Sequence, residues 1–126
     1  MIRLTLEHTD NLGPEADLPA LIGIFHERLR AAPIGGAHVL VEARVLVDYV
    51  AASEDGAWAT VMLTLGAPAS LESAVVPFRD TLLALTEAHL AELFPRNSIV
   101  IVSRLELHAD ATEAERRHAR PPGPGF

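Results

Sequence analysis

The sequence has no cysteine and no lysine, so all ten of its cationic side chains are arginine. Without cysteine there is no disulfide, no thiolate metal site and no thiol nucleophile. Positive charge is outnumbered, ten Arg against 17 Asp and Glu, for a formal net charge of −7. A phosphate-binding surface needs clustered cations, so nucleic acid is excluded as a partner. Long apolar runs are missing as well. "MIRLTLEHTD" lacks the uninterrupted apolar stretch of a signal peptide, and no later run is long enough to span a bilayer. The expectation is a cytoplasmic protein with no membrane partner. Hydrophobic residues make up 49% of the 126 positions, which excludes a disordered chain and suffices for one compact domain.

What is present is periodicity. Ile2, Leu4 and Leu6 alternate with Arg3, Thr5 and Glu7, which predicts a half-buried strand over residues 2–8. "TDNLGPEAD" reads as a loop with Gly13 and Pro14. A helix follows from Asp17 as N-cap, with Pro19 tolerated in its first turn. Its apolar stripe is Leu18, Leu21, Ile22, Phe25 and Leu29, and "APIGG" ends it. "AHVLVEARVLVDYV" predicts a long second strand, "SEDG" a turn, and "AWATVMLTLG" a third strand. "SLES" opens a second helix capped by Ser70 or Ser73. Leu71, Val75, Phe78, Leu82, Leu85 and Leu93 keep its period, and Pro77 kinks it or delays its start. "SIVIVSRLELH" is a fourth strand. The tail "ADATEAERRHARPPGPGF" holds at most one helical turn, capped by Thr112 and Glu115.

The order is β-α-β twice, with a period of roughly 55 to 60 residues and little identity between the halves. This predicts one α+β domain over residues 1–110, with halves at about 1–52 and 57–110, and a tail over 111–126. The sheet has four strands and is mixed, with both helices on one face. The short "SEDG" turn predicts that strands two and three pair antiparallel. The odd positions Val39, Val41, Ala43, Val45, Val47 and Tyr49 are all apolar, and "VMLTL" and "SIVIV" are apolar on both faces. Two helices cover only one side, so a second apolar face is expected to be buried against other copies of the chain.

This layout, with "EHTDNLGPEADLPAL" near the start and "GAPASLES" before the second helix, resembles the 5-carboxymethyl-2-hydroxymuconate isomerase family of the tautomerase superfamily. The likeness runs along roughly residues 1 to 110. It implies a homotrimer whose sheets pack around a central barrel-like core. It also implies keto–enol or double-bond isomerisation of a small unsaturated dicarboxylic acid in aromatic-compound catabolism, with no metal or organic cofactor. The family's base is an N-terminal proline exposed by removal of the initiator Met, and arginines hold the substrate carboxylates. Here the proline position is Ile2. A secondary prolyl amine can be tuned toward neutrality as a general base, whereas an isoleucine amide nitrogen has no basicity. Ile2 should also retain Met1, which places a primary amine one residue further out. Of the family's arginines, Arg44 is matched, one falls at Glu42, and another falls near Ala69.

The candidate base positions are therefore Met1, Ile2, Glu42 and His8, with Arg44 and Arg3 as carboxylate contacts. Glu42, Arg44 and Asp48 share one face of strand two. They form either an ion pair on a partly solvated face or a rebuilt site, in which Arg44 binds an anion and Glu42 accepts a proton. His8 and His108 end strands one and four, while His26, His38, His89 and His118 are scattered, so no histidine spacing suits a metal. His89 lies on the second helix's apolar stripe and reads as a core or interface histidine. Gly35–Gly36 lacks the spacing of a phosphate loop, and "ERRHAR" reads as a solvated tail or one packed on a neighbouring subunit. Two functions follow: an isomerase acting on a small carboxylic acid, or a catalytically inactive trimeric binding or structural protein on the same scaffold.

Overall fold

A computed structural model describes residues 1–47, 56–109 and 114. Strand β1 spans Ile2–His8, helix α1 Leu18–Arg30, strand β2 Val39–Val45 and strand β3 Ala59–Pro68. A short helix α2, Glu72–Val75, precedes the long α3, Phe78–Leu93, and strand β4 is Ile99–His108. The sheet order is β2-β1-β3-β4, with β1 parallel to β2, antiparallel to β3, and β3 parallel to β4. The architecture is thus α+β with a mixed four-stranded sheet.

β1 begins at residue 2 because its alternation is complete from there. Ile2, Leu4 and Leu6 are fully buried against the helices, and Arg3, Thr5 and Glu7 point to the other side. Leu21, Phe25 and Leu29 of α1 recur at intervals of four and join this core, together with Leu82 and Leu90 of α3. Two consecutive glycines, Gly35 and Gly36, adopt φ of 65° and 77° between α1 and β2, a left-handed path that side chains resist. Pro77 stands between α2 and α3. It supplies no N–H for the helical ladder, so the second helix is divided rather than merely kinked.

Several expectations are corrected. Strands two and three are not neighbours: β1 lies between them and pairs with both. Thirteen residues, 46–58, separate β2 from β3 in the chain. The alternately buried β1 and β3 then take the two central positions, where each can be paired on both edges. The "SEDG" residues Ser53 to Asp55 lie outside the described residues, as do Thr112 and Glu115. β2 ends at Val45, shorter than expected. Asp17 does precede α1, but it sits at φ 46°, ψ 52° and caps through its carbonyl, which accepts from Ala20 and Leu21, not through its side chain. Neither Ser70 nor Ser73 caps: the chain enters α2 through a 3-10 turn, Ala69–Leu71, that already contains Ser70, and Ser73 lies inside the helix.

The face opposite the helices also differs from expectation. The odd residues of β2 register with Ile2, Leu4 and Leu6, so they lie on the helix-covered side. The open face is instead a mosaic read in rows across the sheet: Leu40, Arg3, Gly66, Glu106; then Glu42, Thr5, Thr64, Arg104; then Arg44, Glu7, Met62, Val102. Apolar side chains there are interrupted by three arginines and three glutamates.

Candidate functional site

The middle rows of the open face carry the densest polar cluster. Glu42 of β2 stands beside Thr5 of β1 because the strands are parallel and in register. Glu42 Oε1 accepts from Arg3 Nε at 3.1 Å and from Thr5 Oγ1 at 3.2 Å. One row further, Arg44 Nη2 donates to Glu7 Oε2 at 3.4 Å. Two strands away, Arg104 Nε donates to Thr64 Oγ1 at 3.2 Å and lies 3.8 Å from Glu106. The Arg3 and Arg44 side chains are each paired with a glutamate yet stay 56% and 62% exposed, so an incoming anion can reach them in competition with those partners. Glu42 is held through one carboxylate oxygen by both neighbours, which fixes the direction of the other.

Of the six candidate residues, the fold therefore brings together Glu42, Arg3 and Arg44. Asp48, which the strand pattern placed with them, lies outside the described residues. Ile2 is elsewhere: its side chain is fully buried in the core, and its N–H donates to His38 O at 2.8 Å. That nitrogen is a rung of the β1–β2 ladder and has no free lone pair for proton transfer. His8 lies on the helix-covered face, 8% exposed, with Nδ1–H donating to Thr9 O at 2.8 Å. It sits at the far end of β1 from Met1, about 20 Å away at the rise of a strand.

Met1 is half-buried at the head of β1. Continuing the register by one residue sets it between His38 and Pro68, and Pro68 pairs with His108. Sequence reading left His38 among the scattered histidines and noted His108 only as a strand end. Their common row at one end of the open face depends on strand order, which no local pattern reveals. His89 has a structural task, donating Nε2–H to Ala16 O at 2.7 Å and tying α3 to the loop before α1. A second polar group, at the other end of the sheet, is also structural. Thr9 Oγ1 donates to Asn11 Oδ1 and accepts from Thr60 N, while Asn11 Nδ2 donates to Trp58 O. Among the described residues, no group of three or more His, Asp or Glu is placed to hold a metal ion. No described helix is long and apolar enough to cross a membrane.

No protein-family model and no curated protein matches the sequence. Solved structures do match. A 5-carboxymethyl-2-hydroxymuconate isomerase from Deinococcus radiodurans R1 is 25% identical with a TM-score of 0.65, over 93% of this chain and 90% of that one. A 5-carboxymethyl-2-hydroxymuconate delta-isomerase is 18% identical with a TM-score of 0.68, over 93% and 89%. A protein of unknown function from Vibrio cholerae O1 biovar eltor is 11% identical with a TM-score of 0.54, over 89% and 83%. Across nearly its whole length the chain is similar to these isomerases, and its fold is tautomerase-like.

Proposed function

We propose that the protein is a 5-carboxymethyl-2-hydroxymuconate isomerase-like enzyme, which moves a proton within a small unsaturated dicarboxylic acid without a cofactor. The observation that supports this reading is the grouping of Glu42, Arg3 and Arg44 on the open face of a fold shared with such isomerases. Arg3 and Arg44 take the substrate carboxylates, in keeping with the guanidinium's fit to that group. Glu42 takes the proton from the carbon next to the carbonyl and returns it at the conjugated position, a general-base role. Ile2 replaces a prolyl amine and has its nitrogen committed to the sheet, so the carboxylate substitutes for the terminal amine. The Met1 amine, at the head of the same strand, is the competing base, and His8 is the third. The active form is a homotrimer in which the mosaic faces meet.

A second reading rests on one particular feature. Each arginine of the cluster already faces a glutamate, Arg3 with Glu42 and Arg44 with Glu7. A dicarboxylate has to compete with those partners, which favours a silent trimeric binding or structural protein on the same scaffold.

The test is a ketonisation assay with 2-hydroxymuconate or phenylenolpyruvate, followed by ultraviolet absorbance. The wild type is expected to turn over, and Glu42→Gln to lose about 10²-fold or more in kcat, the usual scale for removing a general base. Activity that survives in Glu42→Gln but falls when the chain's amine is acetylated would move the base to Met1. A silent wild type beside an active Ile2→Pro variant would show a pocket that has lost its base. Silence from both, with Ile2→Pro shown to be folded by circular dichroism, would favour the second reading.

A further inference from the structure

One charged side chain of the open face has no part in the proposed reaction. Arg104 stands in the same row as Glu42, on the opposite edge strand, with Thr5 and Thr64 between them. The two ends of that row are built alike. Glu42 leans inward to Thr5, whose hydroxyl donates to Oε1 at 3.2 Å, and Arg104 leans inward to Thr64, whose hydroxyl accepts from Nε at 3.2 Å. Thr5 and Thr64 face each other across the antiparallel β1–β3 pair, where opposed Cβ atoms stand about 4.5–5.5 Å apart. A carboxylate and a guanidinium are thereby held over adjacent central strands, although their own strands are the two edges of the sheet, about 14 Å apart.

The three arginines of the face differ in what already holds them. Arg3 and Arg44 each donate to a glutamate, at 3.1 and 3.4 Å. Arg104 directs Nε at a neutral hydroxyl, and its nearest described carboxylate, Glu106, is 3.8 Å away, beyond hydrogen-bond length. That pair is 61% and 62% exposed, so it is weak, and Arg104 keeps more of its charge for an incoming anion. There is also room beside it. In the next row Gly66, between Arg3 and Glu106, contributes no side chain, and a Cβ there would meet only Arg3 O, at 3.7 Å. We propose that Arg104 and Thr64 form an oxyanion subsite, which holds the carbonyl oxygen of a 2-oxo acid as Glu42 takes a proton from the adjacent carbon. This rests on the Glu42 reading above. As the proton passes to the carboxylate, the C–H pair becomes a C=C bond and the carbonyl π pair moves onto oxygen. The guanidinium, fixed in direction by its bond to Thr64, meets that negative charge. Return of the proton from Glu42 to the far end of the conjugated system draws the pair back into C=O, so no other reactant is consumed. A carbon, its carbonyl oxygen and one hydrogen-bond length at each end cover about 8 Å, comparable with the facing threonines plus one contact on each side.

Arg104 is exposed, so Arg104→Gln should leave thermal unfolding unchanged. In the ketonisation assay it is expected to lower kcat by about 10²-fold with KM nearly constant, the pattern of an interaction made mainly in the transition state. Thr64→Val should lower kcat about tenfold, and Thr64→Ser should restore it, because serine keeps the acceptor for Nε. A rise in KM with kcat unchanged in Arg104→Gln, or no change in either while Glu42→Gln is inactive, would overturn the proposal and leave the Glu42 reading standing. Should the wild type not turn over, that reading fails by itself, and calorimetry with oxalate, a planar stand-in for the enolate of a 2-oxo acid, decides the subsite. Oxalate binding that weakens about tenfold or more in Arg104→Gln supports it. No binding, or binding that Arg104→Gln leaves intact, overturns it.

Discussion

At the scale of single residues, two neighbours in sequence do opposite work. Ile2 is fully buried and Arg3, on the other side of the strand, is open. Ile2→Ala is therefore expected to cost about 2–5 kcal/mol, the range for truncating a buried aliphatic side chain, as read by urea denaturation. Glu42→Gln removes an ion pair whose partners are 30% and 56% exposed, and pairs of that kind contribute only about 0–1 kcal/mol. The same substitution is the one expected to lower kcat by about 10²-fold or more. Stability and activity should thus separate at Glu42 and not at Ile2. Gly35, at φ 65°, is a third instructive position: Gly35→Ala should cost about 1–2 kcal/mol through backbone strain alone, since nothing lies close enough to clash.

At the scale of elements, the alternating strands and the stripe of α1 were legible in the letters because burial repeats at a fixed period. β1 was bounded to the residue. The start of α1 at Asp17 was legible too, but that of the second helix was not, since serine is only one way to satisfy the first N–H groups, and here a 3-10 entry takes its place. The second helix illustrates the same limit. Pro77 announces a break, yet whether the helix bends or divides depends on how Val75 and Leu82 both reach the core. Thr86, buried in α3, donates its hydroxyl to Leu82 O at 2.7 Å, a carbonyl that already belongs to the helical ladder. Thr86→Val should therefore change stability by no more than about 1 kcal/mol and leave the circular dichroism intact, because no acceptor is left stranded.

At the scale of the whole molecule, the open face is the surface through which the proposed trimer would form. An uninterrupted apolar face would have forced association; the observed one carries Arg3, Arg44 and Arg104 against Glu7, Glu42 and Glu106, with Met62 and Val102 beside them. The charges balance and pair, so a mosaic of this kind can meet other copies without net repulsion. Sedimentation is expected to give three times the 13.5 kDa chain mass. Thr64→Arg, which adds an unmatched charge at a central strand, should drive the assembly toward monomer while leaving the subunit folded. A monomeric wild type at micromolar concentration would remove the trimer from the proposed function.

Alternation and helical stripes depend on neighbours a few positions away, which is why the sequence by itself determined the α+β class, the order of the elements and the buried side of β1, but not which side of β3 and β4 meets the helices. Strand order depends on contacts between residues tens of positions apart, and there the local signal of a short turn pointed the wrong way. Only the tertiary structure placed β1 between β2 and β3. The in-register pairing of β1 with β2 turned Glu42, Arg3 and Arg44 from residues of two separate strands into one cluster and made Ile2's nitrogen a rung of the sheet. Sequence named the residues that could carry the chemistry; distance and direction, which exist only once the strands are paired, decided which of them meet.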